Sequence, residues 1–484
     1  MKILFVLFIL INTILLAKSK ELIFVELQSR HGARAPLELN DKNQDVAGEN
    51  WTNVGELSGV GQRMEYVLGL RNRYKYITNE HHFLSTKYDP HELLVFSTSL
   101  NRTLLSMTSQ LQGLYPMSEE YCDNLNEYQL DNSKPDVDTE CEEIQDELTR
   151  IGNSSLPNYM TVIPIHMIHS SEKKIVNYDN SKCKPNVEKV TNKNIEEKQT
   201  IIDCVNSFKT KYSENLTRIL PKNFEYNFDS IDKLCDVIIV DKTEQKTLDY
   251  FFEKTNFDRT PFINDCLEVL KLHFRDRLFG DDKKEIILFE VSAVLREMVH
   301  YIKQRVDADI KREKIEENIA DFSRPKMVII SGHDTTLAAQ ILFIIKFFDL
   351  KYEFELPDYS AQTAFEVSRE KKNDMKLEYS DYNVHYYFND KCILDVKLDI
   401  FIETIENIIW TQEQINRYCE YGDIGSDSDS DEESQRNLII LIGLISAAAI
   451  ALILFIVIIC LCVKICKKKQ KDRASMDSDK LLNE

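Results

Sequence analysis

Leu22-Ile-Phe-Val-Glu-Leu27 runs directly into Gln28-Ser-Arg-His-Gly-Ala-Arg-Ala-Pro36. The first part is a near-continuous apolar run. A strand with one wet face alternates in polarity, whereas a strand covered on both faces does not. The second part sets two arginines around one histidine where such a strand would end. Two further segments share this grammar. Leu93-Leu-Val-Phe-Ser97 is apolar and leads to Arg102, and Met327-Val-Ile-Ile330 leads through Ser331-Gly-His-Asp334 into a helix beginning near Thr335. After the second run, Leu100, Leu104, Met107, Leu111 and Leu114 recur at helical spacing, with Ser99 as the expected N-cap. Strands of this kind alternating with helices predict an α/β fold: a largely parallel central sheet flanked by helices. Ligands collect at the carboxyl ends of such strands. Arg30, His31, Arg34, Arg102, His333 and Asp334 all fall there.

Between these landmarks, residues 117–280 are rich in Lys, Asn, Asp and Tyr, with weaker periodicity. They read as a mostly α-helical cap inserted into a body formed by 20–116 and 281–422. A long helix from Glu285 to Lys314 returns the chain to that body.

The ends of the chain say where it works. Lys2, the apolar Ile3–Leu16 and the small residues Ala17–Ser19 read as a secretory signal over 1–19. Residues 423–437 form an acidic stalk containing Gly425-Ser-Asp-Ser-Asp-Ser-Asp-Glu-Glu433. Residues 438–463 carry no charge and are long enough for a single transmembrane helix. Lys464, Lys467, Lys468, Lys469, Lys471 and Arg473 follow it, so the tail, 464–484, is expected in the cytosol and the rest in a lumen or outside. The tail ends Asp477-Ser-Asp-Lys-Leu-Leu482. Asp477, Leu481 and Leu482 resemble an acidic dileucine signal for a sorting adaptor, which favours endosomal or lysosomal membrane over the cell surface. Cys122, Cys141, Cys183, Cys204, Cys235, Cys266, Cys392 and Cys419 precede the span. An even set in an oxidising compartment predicts disulfides, with 105 connectivities open. Sequons at Asn50, Asn101, Asn153 and Asn215 suit a glycoprotein.

Charge excludes one class of function. The formal net charge is −20, and nucleic-acid binding needs a basic surface. An anion site here must be a local basic pocket in an acidic body. A phosphomonoester site needs just that: guanidinium forks for the equatorial oxygens, an in-line nucleophile and an acid for the leaving alkoxide. Arg30, Arg34 and Arg102 supply the forks, and His31, His333 and Asp334 the rest. Gly32 would let the backbone approach the ligand. Singly, Asp334 could be an N-cap, Arg102 a surface arginine and His333 a core histidine; together, at three strand ends, they make a site. The other histidines form no ligand cluster, so no metal and no cofactor are expected.

Arg30-His-Gly-Ala-Arg-Ala-Pro36 resembles the signature of the histidine acid phosphatases. The resemblance extends through Leu57-Ser-Gly-Val-Gly-Gln-Arg63, Leu68-Gly-Leu-Arg-Asn-Arg-Tyr74, Val95-Phe-Ser-Thr-Ser-Leu-Asn-Arg-Thr103, Gly113-Leu-Tyr-Pro116, Ser331-Gly-His-Asp-Thr-Thr336 and Pro357-Asp-Tyr-Ser360. It covers most of the segment before the span and is nearest the lysosomal and prostatic branch. It implies hydrolysis of phosphate monoesters with His31 as nucleophile and Asp334 as proton donor. Arg30, Arg34, Arg102 and His333 would hold the phosphate, and the fold would be an α/β body with a helical cap. Two features depart from the pattern. Ser97-Thr-Ser99 stands where the family often has Ser-Thr-Asp, and the Asn101 sequon adjoins Arg102, so a glycan there is expected to be absent. Homodimerisation is left open. The alternatives are an inositol-polyphosphate phosphatase of phytase type and an inactive ectodomain on the same fold.

Overall fold

The computed structural model describes residues 20–37, 53–78, 82–120, 124–133, 141–168, 198–244, 248–279, 284–311, 325–370 and 376–421. The chain divides into Met1–Gly422 and Asp423–Glu484, and every described residue belongs to the first unit. The expected signal at 1–19, stalk at 423–437, span at 438–463 and tail at 464–484 lie outside the described residues. Among the described residues, no helix is long and apolar enough to cross a membrane.

Seven strands among the described residues form one sheet: β1 (Lys20–Arg30), β2 (Leu93–Thr98), β3 (His166–Ile168), β4 (Met327–Gly332), β5 (Gln362–Glu370), β6 (Tyr382–Phe388) and β7 (Lys391–Lys397). Their order is β3-β2-β4-β1-β5-β6-β7. The pairs β3/β2, β2/β4 and β4/β1 are parallel; β1/β5, β5/β6 and β6/β7 are antiparallel. The sheet is therefore mixed, a correction to the largely parallel arrangement expected. The cause lies after residue 360. β6 and β7 are joined through Asn389 (φ 50°) by a link too short for a crossover, so the chain can only fold back. β3 comes from inside 117–280, the interval read as cap.

The helices of interest are α1 (Gly59–Arg73), α2 (Asn101–Leu114), α3 (Glu127–Asn132), α4 (Glu142–Ile151), α5 (Gln199–Leu216), α6 (Phe228–Thr243), α7 (Leu248–Thr255), α8 (Arg259–Leu272), α9 (Lys284–Lys311), α10 (Asp334–Phe347) and α11 (Leu398–Ile408). On one face of the sheet, Phe24, Val328 and Ile330 pack with Leu295, Phe343 and Phe401 of α9, α10 and α11. On the other, Val25, Leu27, Val95 and Ile329 pack with Met107, Leu111 and Leu114 of α2. Neighbouring residues of β1 thus enter different cores. That is why its apolar run does not alternate, and each such side chain is worth roughly 1.5–3 kcal/mol of burial. A third core joins α5 to α8, with Phe262 touching Tyr212, Phe251 and Phe257.

One helix cap and the cysteines differ from expectation. α2 begins at Asn101, and its N-cap is Leu100, which makes no side-chain cap bond, rather than Ser99. The Thr103 hydroxyl donates instead to the Leu100 and Thr98 carbonyls, at 2.8 and 3.0 Å, and closes the turn. α10 begins at Asp334 with His333 as N-cap. Cys141, Cys204, Cys235, Cys266 and Cys392 carry free thiols, Cys419 is disulfide-bonded, and Cys122 and Cys183 lie outside the described residues. Cys235 and Cys266 are wholly buried in the α5–α8 core, where a thiol serves as a small apolar side chain.

Candidate active site

The carboxyl ends of β1, β4 and β2 lie side by side, with Arg30 in register with Gly332 and Ser97 with Ser331. The His31 amide donates to the Gly332 carbonyl at 3.1 Å, so the chain leaves β1 still tied to β4. It then turns sharply against the first turn of α1. A Cβ on Gly32 would lie 2.4 Å from the Gly61 carbonyl oxygen, and one on Gly61 would lie 2.1 Å from the Ala33 oxygen. Gly32 is therefore required by its packing on α1. The Ser58 hydroxyl caps α1 by accepting from the Gly61 amide at 3.0 Å, which fixes that contact.

This frame gathers all six expected residues. His31 is 2% exposed, and its ring centroid lies 5.6 Å from that of His333. Nδ1 of His31 is 2.8 Å from the Gly32 carbonyl oxygen. A carbonyl only accepts, so Nδ1 carries the proton and Nε2 is left with a free lone pair. Burial, then Arg30, His333, Arg34 and Arg102, drives this imidazole well below its usual range, so it is neutral. Nε2 of His333 is 3.0 Å from the Thr98 hydroxyl, which in turn meets that of Thr103 at 2.7 Å. Burial and Arg102 bring His333 down to about 4.

Arg30 and Arg34 are both buried. Arg30 donates through Nη1 to the Pro357 carbonyl at 2.7 Å and pairs through Nη2 with Asp334 at 2.8 Å. Arg34 donates to the Ala35 carbonyl at 3.1 Å and pairs with Asp236 of α6 at 3.2 Å. Arg102 is lowered by burial and by Arg34, and its Nε has no hydrogen-bond partner in the structure. Asp334, in the first turn of α10, accepts from the Thr335 amide at 2.8 Å. Burial raises its carboxyl, but Arg30, His31, Arg34 and His333 together outweigh that and hold it well below the usual carboxylate range. Three guanidiniums thus converge beside a neutral imidazole with an open lone pair. Such an array can bind a phosphoryl group and attack it.

Several residues of the site carry no sequence-level sign of their role. Tyr359 lies with its ring centroid 4.1 Å from the Arg30 guanidinium carbon and 5.9 Å from the His31 ring. It falls in Pro357-Asp-Tyr-Ser360, which marked the segment but not the function. Next to it Ser360 adopts φ 58°, with its hydroxyl donating to buried Glu65 at 2.8 Å and its amide to the His31 carbonyl at 3.3 Å. Those two bonds hold a strained loop against the histidine. Thr98 sits inside the stretch that departs from Ser-Thr-Asp, and its hydroxyl meets His333. Asp236 is remote in sequence from Arg34 and could not have been found without the fold.

Comparison with known proteins fits this geometry. Residues 21–389 match the model of the histidine phosphatase superfamily (branch 2). The lysosomal acid phosphatase of Xenopus laevis is 41% identical over 112 residues, 22% of this chain and 24% of that protein. The prostatic acid phosphatase of Bos taurus is 23% identical over 329 residues, 66% of this chain and 68% of that protein. The alignments thus span about a quarter of the first relative and about two thirds of the second. Among solved structures, a Citrobacter braakii phytase superposes with a TM-score of 0.49 at 14% identity, covering 81% of this chain and 98% of its own. With most of its length matched in a single model and the motif residues assembled at one point, the chain belongs to the histidine phosphatase superfamily, branch 2.

Proposed function

We propose that this protein is an acid phosphatase that hydrolyses phosphate monoesters through a phosphohistidine at His31. The observation that carries this is the Nδ1 contact of His31 with the Gly32 carbonyl, at 2.8 Å, beside three guanidiniums. Arg30, Arg34, Arg102 and His333 bind the phosphoryl oxygens. The Nε2 lone pair forms an N–P bond as the P–O bond to the alcohol breaks, and the departing oxygen takes the proton of Asp334. In the second step Asp334 takes a proton from water, the water oxygen bonds to phosphorus, and the N–P electrons return to Nε2. Asp334 must be protonated to begin, yet the arginines around it hold it ionised. A bound phosphate offsets their field, and acid pH supplies the proton, so the rate should peak on the acid side of neutrality.

Asp236 favours simple monoesters over inositol polyphosphates. It sets a carboxylate on Arg34 from the helical layer, where a substrate bearing many phosphates would need cations. Residues 117–280, apart from β3, act as a cap over the body formed by 20–116 and 281–422. The signal, span and basic inner flank make a type I membrane protein. Its site faces the lumen, and Asp477, Leu481 and Leu482 direct it to acidic vesicles. The names of the lysosomal relatives support that destination.

Asp334→Asn tests the chemistry. A proton donor matters most when the leaving group is poor, so an alkyl phosphate should slow by about 10²–10⁴-fold and an aryl phosphate far less. Equal slowing of both would reduce Asp334 to a structural partner of Arg30.

A further inference from the structure

On the α9 face of the sheet, near its β3 edge, lies a cavity of about 290 Å³. This is at the small end of the range for small-molecule sites. Val328 and Ile330 of β4 form one wall and Val294 and Met298 of α9 the other. Glu26 of β1 also lines it. Its residue is 2% exposed, and its buried Oε1 has no hydrogen-bond partner in the structure. Glu26 precedes Arg30 by four residues, about 13 Å along an extended strand, so the cavity is separate from the phosphate pocket. Glu297 and Tyr301 of α9 and exposed His166 of β3 complete the polar part of the lining. No lysine or arginine is among the lining residues described.

An apolar strand position would have closed this gap at no cost. A carboxyl with an orphaned oxygen is instead a standing penalty unless something meets it. The complementary group is a donor, and the second carboxylate, Glu297, makes it a cationic one. The remaining walls are apolar and ask for a short hydrocarbon or ring. We propose that this cavity binds a small primary amine with an apolar body, its ammonium group donating to Glu26 and its body lying between β4 and α9. The groups that face Glu26 agree with this. Glu297 and Glu26 both act on the Tyr301 phenol, and Glu26 acts on the Tyr386 phenol of β6. None of these supplies a cation. Exposed His166 of β3 is the remaining titratable group in the lining. Burial pushes Glu26 up to about 8, so binding an ammonium ion releases the carboxyl proton to solvent, and affinity should rise with pH.

The test is calorimetric titration of the purified protein with 2-phenylethylamine and, separately, with its neutral analogue 2-phenylethanol. At about pH 8 the amine should saturate one site per chain and bind more tightly than the alcohol. Glu26→Gln should weaken the amine by at least about tenfold while leaving the alcohol unchanged. Met298→Trp, which fills the cavity from α9, should abolish binding of both. Aryl phosphate hydrolysis should be the same with and without the amine, and in both variants. If a variant fails to fold, the wild-type titration decides alone through its pH series. An amine affinity that climbs between about pH 6 and 8 supports the site. An amine that does not saturate, binds no better than the alcohol, is indifferent to Glu26→Gln, or shows a flat pH series would overturn it.

Discussion

Asp334 and Glu26 are both carboxyls set against the same sheet, and their surroundings drive them in opposite directions. Burial raises each of them. At Asp334 the guanidiniums of Arg30 and Arg34 overturn that effect and hold the group ionised. At Glu26 nothing does, and the group rises to about 8. The ends of the parallel strands are therefore a region where charge is concentrated and kept. The middle of the sheet is one where charge is suppressed. Glu65 behind the Ser360 loop and Glu290 on α9 belong with Glu26, each pushed up by burial to about 8. Burial alone does not decide the state of a carboxyl; the cations around it do.

Removing a cation should break the contrast most severely. Arg30→Met takes away the partner of Asp334 and one fork of the proposed phosphate pocket. Turnover should fall by about 10²–10³-fold, and steady-state assays with an aryl phosphate read it directly. The alkaline limb of its pH profile should also move toward neutrality, because Asp334 loses the charge that lowers it and keeps its proton to higher pH. Unchanged turnover would mean the phosphate does not meet Arg30.

Stability offers the next contrast, and its sign differs at the two sites. Asp334 is lowered in the folded state, so its stabilisation is present above the ordinary carboxyl range and fades as pH falls through the folded value. Glu26 is raised, so its contribution is full below about 4.3 and is lost as pH rises toward 8. Glu26→Gln should therefore gain on the wild type between about pH 5 and 8 by a few kcal/mol, seen as a melting temperature several degrees higher at the upper pH. A gain that is the same at both pH values would show that Glu26 is ionised in the fold. Glu65 and Glu290 act in the same direction.

Asp236→Asn should have the smallest effect. It frees Arg34 without disturbing the histidine. Inhibition by inorganic phosphate should tighten, and the rate ratio of inositol hexakisphosphate to aryl phosphate should rise, each by roughly two- to tenfold. No change in that ratio would remove Asp236 from the specificity of the site.

The two regions were not equally legible in the sequence. β1, β2 and β4 stand out because burial on both faces enforces unbroken apolar runs, and the site residues follow each run directly. β5, β6 and β7 give no such signal. The fold-back of β7 on β6 depends on a short turn at Asn389, and Glu366, Ser368 and His385 interrupt the pattern with buried polar groups. Position in sequence was enough to place Arg30, His31, Arg34, Arg102, His333 and Asp334 at neighbouring strand ends. Thr98, Tyr359 and Asp236 act through contacts across the fold, which no local pattern encodes. Ser99 failed as a cap because Thr103 closes the turn from inside the helix. The free thiols of Cys235 and Cys266 differ from the disulfide expectation because cysteine spacing does not report the apolar core those two residues fill.

The central claim is that Nε2 of His31 takes the phosphoryl group. Rapid mixing with labelled aryl phosphate, an alkaline quench and peptide mapping test it directly. Base-stable, acid-labile label on the peptide holding His31, absent in His31→Ala together with turnover, is the predicted result. Label on another residue, or full turnover in His31→Ala, would contradict it.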